Sequence, residues 1–182
     1  FITGIVVFGS LLATIFLLKK ETENSTIFSF TFNPNRYTNI LIWISVVVIY
    51  LVGMFEINYH SFESFSNYYS AKSLPLTYHF VFSALLVYFG LKAKNNMSIK
   101  VATILAIVNV VFYVIVYYAI PSKEYAEGLY SKFNSSIAFY FHYIIFLCLI
   151  YFVIVLAKQI KGEAAFGILK SKFAIWVLVF CG

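Results

Sequence analysis

The stretch "FEINYHSFES" (Phe55–Ser64) sets Glu56, His60 and Glu63 four and then three residues apart, where an apolar run meets a polar one. On a helix, residues four and seven positions on lie ~40° and ~20° from the first, so all three side chains share one face. An imidazole holds or passes a proton near neutral pH, and a carboxylate beside it stabilises its charged form. The same groups can ligate a divalent metal. The pattern Glu-x-x-x-His-x-x-Glu is less specific than a His-Glu-x-x-His zinc signature. Side chains at the wet end of a helix are ordinarily just solvated, so no metal, cofactor or catalytic residue is assigned here.

The elements that must position these residues are membrane helices. The chain is 62% hydrophobic and 11% charged, whereas a soluble domain is about half apolar and about a quarter charged. Apolar runs fall at about 1–18, 38–57, 74–91, 99–120, 136–157 and 173–182. None alternates as a barrel strand would. The reading is an all-α polytopic transmembrane bundle of about six spans, forming one helical membrane unit over 1–182. The closing run of ten residues is too short to cross, since a span needs about 20. The first run starts at Phe1 with neither a basic start nor a small-residue cleavage site, so it does not read as a signal peptide. Both end runs look truncated, which predicts a piece of a longer polytopic protein. In "PSKEYAEGLYSKFN", Pro121 reads as the stop after the fourth run, and the residues beyond it as a loop.

Basic residues give the orientation. Lys19, Lys20 and Arg36 follow the first run. Lys92, Lys94 and Lys100 follow the third, and Lys158, Lys161, Lys170 and Lys172 follow the fifth. That makes ten against Lys72, Lys123 and Lys132 on the other side. Cytoplasmic loops hold the Lys and Arg excess, so the odd-numbered loops face the cytoplasm of a bacterial inner membrane. The net charge of +6 is thereby explained by orientation, and no nucleic-acid partner is expected. Cys148 and Cys181 lie in apolar runs and read as small buried hydrophobes.

In this topology all three histidines share the outer half. His79 starts the third run, and His142 lies two turns into the fifth, about 10 Å deep. An ionisable group within a span faces the bundle interior or a water-filled cavity. Asn109, in the middle of the fourth run, is a further polar group in need of a partner. Glu56, His60, Glu63, His79, His142 and Asn109 thus form the candidate outer polar pocket. The plainer account makes the first three solvated and the others glue between helices. Many tyrosines also fall in the outer half, where an aromatic belt is expected.

One stretch has a family look. "FNPNRYTNILIWISVVVIYLVGMFE" (Phe32–Glu56) resembles the Asn-Pro-Arg-led helix of the bacterial membrane proteins grouped as domain of unknown function 2339. Here Asn35 stands between Pro34 and Arg36, where that family runs Asn-Pro-Arg directly. The resemblance implies a long chain with many spans and no particular activity. Asn33 and Pro34 also suit a helix start, and Arg36 a cytoplasmic anchor.

No phosphate loop or nucleophile elbow occurs. The expected role is an integral membrane module for transport or export of a cell-envelope component. The alternative is a membrane transferase acting on a lipid-linked substrate at the outer leaflet. Expected partners are membrane lipid and the remaining helices of the same longer chain.

Overall fold

A computed structural model describes residues 2–20, 25–27, 30–93, 95–130 and 137–161. The described chain is helical apart from one short hairpin. Helix α1 (Ile2–Leu18) is followed by strands β1 (Ser25–Ile27) and β2 (Phe30–Phe32), paired antiparallel with Thr26 opposite Thr31. Then come α2 (Pro34–Ser64), α3 (Tyr68–Lys92) and α4 (Asn96–Phe112). A π-helical segment (Tyr113–Tyr117) leads into α5 (Ala119–Tyr130), and a 3₁₀ turn (Ile137–Tyr140) into α6 (Phe141–Lys161). Four helical stretches are long and apolar enough to cross a membrane: Pro34–Ser64, Tyr68–Lys92, Asn96–Leu129 and Ile137–Gln159. Thr3–Leu18 is a shorter apolar helix. The run expected at 173–182 lies outside the described residues, as do Lys94, Lys132, Lys170, Lys172 and Cys181.

Local chemistry explains where the helices begin. Asn33 Oδ1 accepts the Arg36 N–H at 3.2 Å, and Pro34 occupies the first helical position, where its missing N–H has no partner to lose. Asn67 and Asn95 cap α3 and α4 in the same way, each accepting backbone N–H bonds through its side chain.

The stretch after the fourth run corrects the loop reading. Pro121 does not stop the helix; the helical path continues to Tyr130. Proline is tolerated because it sits in the first turn of α5, just after the chain has widened into the π segment. There the Tyr118 N–H reaches back five residues to the Tyr113 carbonyl at 2.9 Å.

The chain divides into two compact units, Phe1–Tyr59 and His60–Gly182. In the first, α1 and α2 approach closely at Gly4, where an added Cβ would lie 2.7 Å from a Val52 methyl. In the second, α3, α4 and α6 pack around Phe80, Val87, Ala102, Ala106, Tyr117, Ile145 and Phe152. Gly90 lets α3 meet α4, since a Cβ there would stand 3.0 Å from Ala102 Cβ and 3.2 Å from the Ser98 carbonyl. Small residues serve this purpose between membrane helices, where burial in lipid supplies no hydrophobic drive and close packing must hold the bundle.

The second unit turns its polarity inside out. Ser70, Ser73, Thr77, Ser83, Thr103, Asn109, Glu124 and His142 are buried, while Leu85, Ile104, Val108, Ile115 and Leu147 are exposed. A water-soluble domain rarely combines so many buried polar side chains with so much exposed aliphatic surface. This distribution fits a bundle bathed in lipid, with hydroxyls paired inside.

Candidate functional site: a buried hydroxyl, carboxylate, imidazole and phenol in line

The site grows from the cap of α3. Asn67 Oδ1 takes the Tyr69 N–H at 2.8 Å and the Ser70 N–H at 3.2 Å, which fixes Ser70 in the first turn with its hydroxyl turned inward. Ser70 Oγ donates to Glu124 Oε1 of α5 at 2.7 Å. The other carboxylate oxygen, Oε2, lies 2.5 Å from His142 Nε2. His142 is the second residue of α6, and its Nδ1 bonds the hydroxyl of Tyr117, the last residue of the π segment. The four residues are 2%, 5%, 8% and 1% exposed in that order, so water reaches none of them freely. Around them, the Phe139 ring meets His142 edge-on at 5.3 Å, and Phe80 and Tyr113 pack on Tyr117. Ser73 Oγ donates to the Ser70 carbonyl at 2.7 Å and lies 3.4 Å from the Ala138 carbonyl, tying α3 to the 3₁₀ turn.

One assignment of hydrogens satisfies every group with a neutral ring. Tyr117 O–H donates to Nδ1, Nε2–H donates to Glu124, and Ser70 O–H donates to the same carboxylate. The carboxylate then carries a buried negative charge. The first turn of α3, a 25-residue helix, faces it, and a helix N-terminus favours negative charge. The order Ser–Glu–His–Tyr also excludes a serine triad here, because the imidazole would have to lie between hydroxyl and carboxylate. What the line can do is hold a proton and pass it.

Among the expected site residues, the structure brings His60 beside Glu63 and His79 beside Asn109. His60 Nδ1 and Glu63 Oε2 are 3.5 Å apart on α2, with both side chains more than half exposed. Glu56 belongs to the first unit. His79 meets the Asn109 side chain and stacks edge-on against Phe112 at 5.4 Å. Asn109 Nδ2 donates to the Leu105 carbonyl at 2.9 Å. His142 lies beyond them, with the rings following in the order His79, Phe80, Tyr117, His142. Its partners come from the π segment and α5, and it reaches α3 through Glu124 and Ser70.

Sequence reasoning missed Ser70, Tyr117 and Glu124. A signal was present: Ala106, Asn109, Tyr113, Tyr117, Ile120 and Glu124 follow each other at spacings of three and four, one continuous helical face. Reading Pro121 as a stop hid it.

No protein-family model, curated protein or solved structure matches this chain.

Proposed function

We propose that the chain is a module of a multi-pass bacterial inner-membrane protein, crossing about six times, that serves the transport or export of a cell-envelope component. The carrying observation is the buried Glu124–His142 pair within an apolar-surfaced bundle. Removing a carboxylate and an imidazole from water costs several kcal/mol per ion when charged. Ionisable groups inside membrane bundles mark ion and substrate pathways for that reason. The transferase reading has less support, since both imidazole nitrogens are engaged and the Ser70 hydroxyl is given to Glu124. Kinship with the family that Phe32–Glu56 resembles agrees with a many-span protein. Lys92, Lys100 and Lys158 gather at one end of the second unit and the relay at the other, which supports an orientation with the lysine end cytoplasmic.

The test is a strain lacking the gene, pulse-labelled for envelope lipids and polysaccharides. An envelope precursor should accumulate at the inner membrane and its product should fall at the surface. Unchanged envelope composition and flux would overturn the transport reading. Loss of the precursor's chemical conversion, with its movement intact, would establish the transferase instead.

A further inference from the structure

We infer that the Ser70–Glu124–His142–Tyr117 line is a reversible proton-binding site, so that the ion this module handles is the proton. This rests on the transport reading above but concerns the ligand of the site, and it has its own readout.

The first argument is economy of chemistry. Two helices can be held together by a neutral amide or hydroxyl bond at small desolvation cost. Here a carboxylate and an imidazole, both more than nine-tenths buried, share a bond of 2.5 Å. The second argument is charge. With a neutral ring the site carries one net negative charge, and one proton makes it neutral. A metal ion would need more ligands; among the described residues no three His, Cys, Asp or Glu side chains gather. The third is that a proton can move along the line with no atom left over. In the resting arrangement Nε2 carries the ring hydrogen and Nδ1 accepts from Tyr117 O–H. A proton from a hydronium ion reaches Nδ1 through Tyr117: the phenol oxygen takes it up, leaving water, as its own proton passes to Nδ1, and the phenol then accepts from the new imidazolium. The Nε2 proton then passes to Glu124 Oε2, leaving a neutral ring protonated on Nδ1 and a carboxylic acid held by Ser70. Each transfer forms one N–H or O–H bond and breaks another.

The groups nearest the pair decide how easily the proton comes. Tyr117 and Tyr113 face it from the π segment, and Phe139 closes it from the 3₁₀ turn. From α3 come Ser70 and, at the margin, Tyr69, over whose ring Lys123 of α5 sits at 6.0 Å. Among these described residues only Lys123 carries a positive charge, and it is exposed, while the first turn of α3 faces the carboxylate and favours its negative charge.

The experiment is infrared difference spectroscopy of the full-length protein in lipid vesicles, titrated between about pH 5 and 8. Acidification should raise one protonated-carboxyl band that shifts in heavy water and is lost in Glu124→Gln. Tyr117→Phe and Ser70→Ala should keep the band but move its midpoint. If Glu124→Gln does not fold, nitrogen-15 spectra of the wild-type imidazoles decide, because the chain has only three histidines. The His142 ring should change tautomer or charge together with the carboxyl band. Absence of any such change in the wild type, or persistence of the band in a folded Glu124→Gln protein, would overturn the inference. A titrating site in a protein whose deletion leaves envelope flux unchanged would retain the proton site and remove the transport reading. Failure of titration with altered flux would do the reverse.

Discussion

His142 and Glu124 each depend on the other, because either one alone would be a buried polar group without its partner. Replacing His142 by Ala should therefore destabilise the second unit by about 3–5 kcal/mol, the usual result of stranding a buried charge. Glu124→Gln and His142→Ala together should lose less than the sum of the two single changes, since the interaction can be broken only once. Steric-trap or denaturant unfolding in detergent measures both, and additive losses would deny that the pair acts as a unit. His60 is a control on the same chemistry. Its pairing with Glu63 is solvent-screened, and His60→Ala should move stability by no more than about 0.5 kcal/mol. Asn67 acts one step further out, through the two N–H groups it caps. Asn67→Ala should cost about 1 kcal/mol and, by loosening Ser70, shift the midpoint of the Glu124 carboxyl band. That His142 is shielded by protein could be anticipated from its depth in an apolar run. Its partner was harder to see, because Glu124 lies in a charged stretch of loop-like composition beyond Pro121, and only the spacing back to Ala106 ties it to the helix.

At the scale of elements, the π segment is what turns a charged stretch into part of the bundle. Proline ends a helix when it removes an interior hydrogen bond and drives its ring into the preceding carbonyl. Here the ladder has already been widened, with Tyr118 bonding Tyr113, and Pro121 falls in the opening turn of α5. Apolar run length and the Asn33–Pro34 helix start were legible because they depend on neighbours in sequence. The continuation through Pro121 is secured by α5 packing on α3, and the three-and-four spacing from Ala106 to Glu124, which runs straight through Pro121, is its trace in the sequence. Tyr117 shows the limit of local reading: it read as part of an interfacial belt, yet it is 1% exposed and pairs with His142. Exposed Tyr118, Tyr125, Tyr140 and Tyr143 fit the belt better. Packing elsewhere can be tested at Gly90. Gly90→Val would press against Ala102 Cβ and the Ser98 carbonyl, and should destabilise α3 against α4 by about 1–3 kcal/mol. Adding Ala102→Gly should recover part of the loss, because it removes one of the two opposing atoms; no recovery in the same unfolding assay would place the clash at the backbone.

For the whole molecule, the orientation decides from which side a proton meets the relay. The stretch Asn96–Leu129 holds 34 residues and is ~51 Å long at the helical rise, well beyond a hydrocarbon core of ~30 Å. Its charged part, with Lys123, Glu124 and Glu127, therefore emerges at one face, where α3 and α6 also begin. Among the described residues that face carries Lys72, 4.3 Å over the Tyr68 ring, and Lys123, over Tyr69. At the opposite face stand Lys92 at the end of α3, Lys100 in the first turns of α4 and Lys158 in the last turn of α6. Positive charge resists translocation, so the Lys92 end should stay in the cytoplasm and the relay should open outward. Two single cysteines test this in a background with Cys148 and Cys181 replaced. Both sites are exposed, Ser66 just before α3 and Met97 at the start of α4. Ser66→Cys should react with a membrane-impermeant maleimide in intact cells whose outer membrane has been opened. Met97→Cys should react only after the inner membrane is broken. The reverse pattern would turn the bundle over and put the relay within reach of cytoplasmic protons.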